Sequence, residues 1–241
     1  MLQAWVGCSG FQYRHWKEVF YPAGVPQRKW FEFYCEHFNT VELNVTFYRI
    51  PRLSTFEGWY NRSPQPFRFA VKAPRLVTHY KKFSGTETLI ADFYGLVQEG
   101  LKDKLGSVLF QLPPSLAYSP GLLDKICDSL DPSYQNVIEF RNASWWNAVV
   151  YRQLASRSIS FCSISHPALP DELVINSKLV YYRLHGTPHL YRSLYASSKL
   201  QELANLIQEA LQVQQAYIYF NNDIDASALV NAREMKGFFE P

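Results

Sequence analysis

Val137-Ile138-Glu139-Phe140-Arg141 is a short run of β-forming residues that carries a carboxylate and a guanidinium two positions apart. Side chains two positions apart lie on one face of a strand, so Glu139 and Arg141 would point the same way. Three further runs end in polar residues in the same manner: Thr40-Val41-Glu42-Leu43-Asn44, Tyr181-Tyr182-Arg183-Leu184-His185 and Tyr217-Ile218-Tyr219-Phe220-Asn221-Asn222-Asp223. Polar groups collected at one end of successive parallel strands form the active sites of α/β barrels and open α/β sheets. The pattern therefore predicts an enzyme-like pocket, although it names no reaction.

Strand-like and helix-like segments alternate along the 241 residues, which favours a parallel sheet. The predicted strands are 4–8, 40–44, 67–72, 107–111, 137–141, 159–164, 179–184 and 217–221. Eight such units in one chain predict an α/β fold of the (β/α)8 TIM type, as a single domain over 1–241. A doubly wound open sheet is the alternative. It would usually carry a glycine-rich phosphate-binding first turn, a motif that Gly7-Cys8-Ser9-Gly10 does not match.

Helices are predicted between the strands. The predicted helical segments are 26–37, 120–130, 145–157, 197–214 and 225–235, together with two segments that open on capping boxes. These boxes are Ser54-Thr55-Phe56-Glu57 and Ser84-Gly85-Thr86-Glu87, the second opening a helix to about Lys102. The segment 165–178 is the weakest, because its two prolines leave room for only a short helix.

The composition excludes several classes of protein. A net charge of +3 allows an anionic ligand but falls short of the strongly basic character of a dedicated nucleic-acid binder. The four cysteines are scattered without zinc-site spacing, and a disulfide framework is not expected. The sequence shows no signal peptide and no apolar run of about 18 residues that could span a bilayer. We therefore expect a cytoplasmic protein without membrane association, whose oligomeric state the sequence leaves open.

Four residues at predicted strand ends are candidates for catalysis: Glu42, Glu139, His185 and Asp223. A carboxylate inside a barrel is costly unless it is paired or binds a metal, so Glu42 and Glu139 are interpreted as acid/base groups, metal ligands or internal ion-pair partners. His185 is the side chain most readily tuned near neutral pH, and Gly186 would let a ligand approach the backbone. A divalent metal is possible because these ligand types suit Mg, Mn or Zn, but they lie on separate strands and form no metal motif.

A further set of residues is predicted to bind substrate: Asn44, Lys72, Gln111, Arg141, Arg183, Asn221, Tyr13 and Trp16. Lys72 could bind a phosphate, or act as an amine nucleophile if desolvation lowers its pKa. Tyr13 and Trp16 belong to a first loop that interleaves aromatic and basic residues, as a surface that stacks a sugar or base does. The same loop could instead be a hydrophobic flap that packs over the end of the barrel.

Several of these segments together resemble the domain-of-unknown-function 72 (YecE-like) family. The matching stretches include Gly7-Cys8-Ser9-Gly10-Phe11, Phe38-Asn39-Thr40-Val41-Glu42-Leu43-Asn44, Leu109-Phe110-Gln111-Leu112-Pro113-Pro114, Glu139-Phe140-Arg141 and Arg183-Leu184-His185-Gly186. The resemblance implies a TIM-type barrel and no particular activity. A distant likeness of the family to sugar isomerases and endonuclease-IV-type barrels is an analogy at the level of the fold.

Three functional hypotheses follow. The first is an enzyme that acts on a phosphorylated sugar or a nucleic-acid phosphodiester, with the arginines and Lys72 holding the anion. The second is a non-catalytic protein that binds nucleic acid or a nucleotide through the aromatic loop, including Phe11, and its basic residues. The third is a barrel whose inward charges form a purely structural network.

Overall fold

Eight parallel strands alternate with helices in the computed structural model, which describes residues 2–240. The strands are β1 (Gln3–Cys8), β2 (Thr40–Leu43), β3 (Arg68–Lys72), β4 (Leu105–Gln111), β5 (Gln135–Glu139), β6 (Ser160–Ser165), β7 (Leu179–Leu184) and β8 (Gln215–Phe220). The predicted strands and the TIM-like α/β barrel are confirmed, with strand ends differing from the prediction by one or two residues.

The helices lie between the strands along the chain. They are α1 (Trp30–Cys35), α2 (Val45–Tyr48), α3 (Leu53–Arg62), α4 (Glu87–Leu101), α5 (Pro120–Ser129), α6 (Ala148–Ser156), α7 (Ser197–Glu209) and α8 (Ser227–Gly237). Short 3-10 turns occur at Arg14–Trp16, Gln27–Lys29, Lys102–Lys104 and Ala143–Trp145, and a π-helical turn at Leu76–Tyr80. Within residues 2–240, none of the helices combines the length and the apolar character needed to cross a bilayer.

Local details depart from the sequence prediction at three places. Both predicted capping boxes are wrong, because α3 begins after Arg52 and α4 after Thr86, and neither residue makes a side-chain capping bond. Between β6 and β7, residues 166–178 form turns and extended chain without a regular helix. Pro167 and Pro170 lack the backbone N–H that a helix requires, so even the predicted short helix does not form.

The strand order is β1-β8-β7-β6-β5-β4-β3-β2, so β1 and β2 face each other where the barrel closes. No backbone ladder joins these two strands within residues 2–240, and side chains link them instead. The amide of Asn39 bridges the gap: its Oδ1 accepts from Val6 N–H at 3.0 Å, and its Nδ2 donates to the Ala4 carbonyl at 3.0 Å. One asparagine side chain thus replaces a pair of ladder hydrogen bonds.

A tyrosine closes the upper part of the same seam. The Tyr34 hydroxyl accepts from Cys8 N–H at 2.8 Å and donates to the Thr40 carbonyl at 2.9 Å. Gly7 lies against this contact, since a Cβ on it would stand 2.2 Å from the Thr40 carbonyl oxygen. Glycine is therefore required for the close approach of β1 and β2.

Alternation along the strands separates an inner layer from an outer one. Val41 and Leu43 pack in the cluster shared with the helices, whereas Glu42 points into the barrel as predicted. The lower interior is aromatic, with Trp5 stacked on Tyr217 at 4.8 Å between ring centroids. Because this lower part of the interior is apolar, the buried charged residues inside the barrel lie together at the carboxyl ends of the strands.

Candidate active site

A cavity of about 510 Å³ opens at the carboxyl ends of the strands. The predicted site residues that line it are Tyr13, Asn44, Lys72, Gln111, Arg141, Arg183, Asn221 and Asp223. Glu42, Glu139 and His185 are fully buried and contact those lining residues from beneath. The structure thus brings side chains from distant parts of the sequence into one site, at the end of the barrel where the strand pattern placed them.

Arg183 is the centre of a buried ion network. Its Nη2 donates to Glu42 Oε1 at 2.6 Å, and its Nη1 donates to Glu139 Oε2 at 2.5 Å. Glu42 also accepts from the Tyr181 hydroxyl at 2.7 Å and from Asn44 Nδ2 at 3.1 Å. Charge-assisted bonds of this kind satisfy carboxylates that would otherwise be costly to bury.

Arg141 extends the network towards the cavity. Its Nε contacts Glu139 Oε1, while its Nη2 lies 2.9 Å from His185 Nε2. Burial alone would raise the pKa of Glu139, but the guanidiniums of Arg141 and Arg183 outweigh it and hold that pKa at about 2. Glu139 is therefore ionised at neutral pH, with both oxygens engaged by arginines.

His185 is held neutral by its surroundings. Burial, followed by the charges of Arg141 and Arg183, lowers its pKa well below the usual range. Because Arg141 donates to Nε2, the neutral ring carries its proton on Nδ1, which lies 2.9 Å from the Asn221 side-chain amide. A donating Nδ1–H requires the Asn221 oxygen at that position. His185 in this state positions Arg141 and Asn221 and has no proton to give as an imidazolium.

Lys72 ends β3 with its amine in the cavity wall. Its Nζ donates to Gln111 Oε1 at 2.7 Å and lies 4.1 Å from the ring centroid of Phe47. Burial and then the nearby Arg183 charge lower the pKa of Lys72 to about 8. The amine can therefore change its protonation state close to neutral pH.

Asp223 and Tyr13 line the rim of the cavity. Asp223 has its pKa raised by burial, and its Oδ2 lies 3.7 Å from His15 Nε2. Tyr13 donates its hydroxyl to the Ser9 carbonyl at 2.6 Å and faces the cavity. Trp16, in contrast, is 0% exposed and packs behind Tyr13 at 4.8 Å between centroids. Tyr13 therefore carries the aromatic wall of the first loop, and Trp16 supports it from behind.

Further residues line the cavity that the sequence did not single out as site residues: Phe47, Tyr48, His79, Tyr191 and Ile224. Phe47 and Tyr48 lie on α2, one turn after Asn44, and His79 lies on the π-helical turn that follows β3. The sequence feature that could have identified them is their position shortly after a strand end, since the loops at this face of a barrel form its active site. That feature marks a loop but not which of its side chains turns inward.

The family assignment rests on a match along nearly the whole chain. A family profile described as "Protein of unknown function DUF72" matches residues 5–240. The chain belongs to the DUF72 family. The resemblance noted from the sequence is thereby confirmed.

Relatives of this DUF72 protein occur in several bacteria. It is 26% identical to the UPF0759 protein YunF of Bacillus subtilis, over 89% of this chain and 88% of YunF. It is 26% identical to the UPF0759 protein YecE of Escherichia coli strain K12, over 62% of this chain and 53% of YecE. The crystal structure of a DUF72 family protein from Thermotoga maritima is similar with a TM-score of 0.89 at 27% identity, over 99% of both chains. These relatives support the family and the fold, and their names state no activity.

The side chains of this DUF72 protein do not fit a metal centre. Across residues 2–240, no three His, Cys, Asp or Glu side chains are grouped so that they could hold an ion. Glu42 and Glu139 already bind arginines, and the Nε2 of His185 faces Arg141, while the Asp223 carboxylate lies apart from them at the rim, 3.7 Å from His15.

Proposed function

We propose that this protein is an enzyme that acts on a small phosphorylated sugar bound in the cavity at the carboxyl ends of the strands. The observation that carries the proposal is an excess of positive charge in the buried part of the site. Lys72, Arg141 and Arg183 face two buried carboxylates, Glu42 and Glu139, whereas the Asp223 carboxylate lies at the rim of the cavity beside His15. Within the part of the chain that the structure describes, no carboxylate lies within 4 Å of the Lys72 amine. An anionic ligand would balance this charge.

Arg141 is the cation best placed to bind the phosphate. Its side chain lines the cavity and is 12% exposed, whereas Arg183 is committed to both carboxylates. Arg141 uses Nε and Nη2 for Glu139 and His185, so its Nη1 is left to donate to a phosphate oxygen. The amides of Asn221 and Gln111 would hydrogen-bond sugar hydroxyls. A cavity of about 510 Å³ is in the size range of pockets for small ligands.

The site supports sugar chemistry better than phosphodiester hydrolysis. Hydrolysis requires a group that activates water, and the three buried candidates are already engaged. Glu42 and Glu139 are bound to arginines, and His185 is neutral with its basic nitrogen facing Arg141. Lys72 also lines the cavity, and its pKa of about 8 lets the amine lose a proton near neutral pH. An amine with this property suits reactions at a sugar carbonyl.

A second candidate function, binding of a nucleotide without chemistry, is favoured by one feature of the rim. The Arg75 guanidinium lies 5.6 Å from the Tyr48 ring centroid and 5.4 Å from that of Tyr80. Tyr48 is 68% exposed and also lines the cavity. Exposed aromatic faces beside a cation are surfaces on which bases stack. In this alternative the phosphate would enter the cavity while the base lies on the rim.

The two functions are separated by calorimetric titration with inorganic phosphate, glucose 6-phosphate, glucose and a nucleoside monophosphate. We expect inorganic phosphate and glucose 6-phosphate to bind, and glucose to bind at least tenfold more weakly. Arg141→Gln should weaken phosphate binding at least tenfold, while the rim variant Arg75→Gln should leave it unchanged. Arg141→Gln should still fold, because Glu139 keeps Arg183 as its partner.

Other outcomes decide against the proposal. Tight binding of the nucleotide alone, lost in Arg75→Gln and weakened steeply by salt, would favour the second candidate. If Arg141→Gln bound phosphate as well as the wild type, the anion would not occupy the proposed position.

A further inference from the structure

We propose that Lys72 is a nucleophile, whose amine forms an imine with the carbonyl carbon of an aldose or ketose phosphate in the cavity. The inference rests on the proposed function, which it deepens by naming the reaction class. It assigns the anion to Arg141 and the carbonyl group to Lys72. Both side chains line the same cavity, Lys72 at the end of β3 and Arg141 just after β5, with β4 between the two strands.

The contacts of Lys72 hold the amine in place without neutralising it. Gln111 Oε1, at 2.7 Å, accepts one of its hydrogens, and the Phe47 ring covers it with its centroid at 4.1 Å. Neither partner carries a negative charge. The residue is 8% exposed, so the amine meets the cavity and little bulk water. A nucleophilic amine needs this combination of a fixed position, an apolar cover and an open side.

The other buried lysine shows what a structural role looks like in this fold. Lys104 Nζ donates to the Tyr60 carbonyl at 2.9 Å, to the Ser63 carbonyl at 2.6 Å and to Ser63 Oγ at 2.9 Å. Three acceptors use all three of its hydrogens, and the ammonium secures the carboxyl end of α3. Lys72 has a single side-chain acceptor, so two of its hydrogens remain for the ligand.

The charged and titratable groups around Lys72 lie on several elements. They are Arg183 on β7, Arg141 after β5, Glu139 on β5, Glu42 on β2 and His79 on the turn after β3. The two carboxylates are bound to the arginines and only partly offset the effect of burial. With a pKa of about 8, about a tenth of the amine is unprotonated at pH 7. That fraction is sufficient for attack on a carbonyl.

The step balances without any added oxidant or reductant. The unprotonated Lys72 nitrogen adds to the carbonyl carbon, and a proton moves from nitrogen to oxygen to give a carbinolamine. The carbon–oxygen bond then breaks, the oxygen leaves as water with one proton taken from solvent, and a carbon–nitrogen double bond remains as a protonated imine. The positive imine withdraws electrons from the neighbouring carbons, as in isomerisation or carbon–carbon bond cleavage of sugars.

Reductive trapping tests the proposal. The purified protein is incubated with dihydroxyacetone phosphate or glyceraldehyde 3-phosphate and cyanoborohydride, then digested and mapped by mass spectrometry. We expect the reduced adduct on Lys72, at least tenfold above that on any other lysine, with Lys104 as the internal control. The labelling rate should rise with pH to a plateau above about pH 8, following deprotonation of Lys72. Inorganic phosphate should compete, and Lys72→Arg should abolish the adduct.

The outcomes test the role of Lys72 separately from the proposed function. Adducts spread evenly over surface lysines, or equal labelling of Lys72→Arg, would overturn the role of Lys72. If, in that case, the wild type still binds phosphate and Arg141→Gln does not, the proposed function stands and the imine alone is rejected. If neither phosphate nor sugar phosphate binds the wild-type protein, the proposed function itself is rejected. Circular dichroism of Lys72→Arg, and of Lys72→Met beside it, shows that the loss of label is not a loss of fold.

Discussion

Arg183 contacts both of the carboxylates that lie inside the barrel. Without its guanidinium, Glu42 would keep only neutral partners, the Tyr181 hydroxyl and the Asn44 amide. A buried charge left without its counter-charge is strongly destabilising, whereas the intact pair contributes much less than its Coulomb energy suggests. The network therefore determines the positions of the side chains more than the stability of the fold.

We expect Arg183→Met to lower the free energy of unfolding by about 3–5 kcal/mol, because two buried carboxylates lose a common partner. Urea denaturation measures the change. Arg192→Met is the matched control, since Arg192 pairs with Asp225 at the surface, where such pairs contribute little. If Arg183→Met were as stable as Arg192→Met, the loss of Arg183 would leave no unpaired charge in the buried network.

Lys72 should make the stability depend on pH in the alkaline range. Its pKa is about 8 in the folded protein and 10.5 in the reference state, so the unfolded chain binds more protons between these values. Stability therefore rises with pH across this window, by about 3 kcal/mol in total. Below pH 8 the folded state bears the full cost of the buried ammonium.

The free energy of unfolding of the wild type and of Lys72→Met, measured from pH 7 to 11, tests this dependence. The wild type should gain on the variant between pH 8 and 10.5, after which the difference stays constant. Curves that remain parallel over the whole range would mean that Lys72 titrates alike in both states.

At the scale of elements, the seam between β1 and β2 depends on the absence of a side chain at Gly7. A Cβ there would lie 2.2 Å from the Thr40 carbonyl oxygen, closer than real atoms approach. Gly58, within α3, has no atom within 4 Å of the position that its Cβ would take. The two glycines thus form a matched pair, one required by packing and the other free.

We expect Gly7→Ala to destabilise the protein by about 3 kcal/mol or more, because β1 and β2 must move apart. Gly58→Ala should be neutral or stabilise by up to about 1 kcal/mol, since alanine favours the helix. Thermal and urea denaturation measure both. A Gly7→Ala protein as stable as the wild type would contradict the described closure of the barrel.

The strands could be predicted from the sequence, but the details between them could not. Runs such as Val137–Arg141 show both a strand and the face on which Glu139 and Arg141 lie, because alternation is a local property. The helix starts predicted at Ser54 and Ser84 are wrong, because the capping pattern occurs there but each helix begins at another residue. A cap depends on the path of the preceding loop, which the motif alone does not fix.

For the site, too, the sequence predicted the features that depend on local patterns and not those that depend on contacts between distant residues. The sequence indicated which residues gather at one end of the barrel, yet it left open whether Glu42 pairs with Arg183 or with Arg141. Pairing across strands depends on register and on the depth of each side chain, and the structure assigns Glu42 to Arg183. The burial of Trp16 was equally hidden, because an aromatic residue in a loop can pack inward or face a ligand.

At the scale of the whole molecule, the buried network couples the stability of the barrel to acid. The pKa of Glu139 is about 2 in the folded protein and 4.5 in the reference state. Its contribution is present above pH 4.5 and is lost as the pH falls towards 2, which removes about 3 kcal/mol. The barrel should therefore lose stability on acidification within this window.

Acid titration of the wild type beside Arg141→Gln measures this contribution. Removing Arg141 raises the pKa of Glu139 towards its reference value, so the variant should be less stable at pH 5 and approach the wild type near pH 2. Two curves separated by a constant amount from pH 5 to pH 2 would show that Arg141 does not act through Glu139.

The side-chain closure between β1 and β2 has a consequence for how the protein meets other copies of itself. Strands joined by a backbone ladder bury their edges, but here the Asn39 amide alone occupies the edge groups of Ala4 and Val6. Loss of that amide would leave the strand edge at Ala4 and Val6 open below the Tyr34 bridge, and open edges recruit strands from other molecules. We therefore expect damage at Asn39 to appear first as concentration-dependent self-association, before any loss of secondary structure.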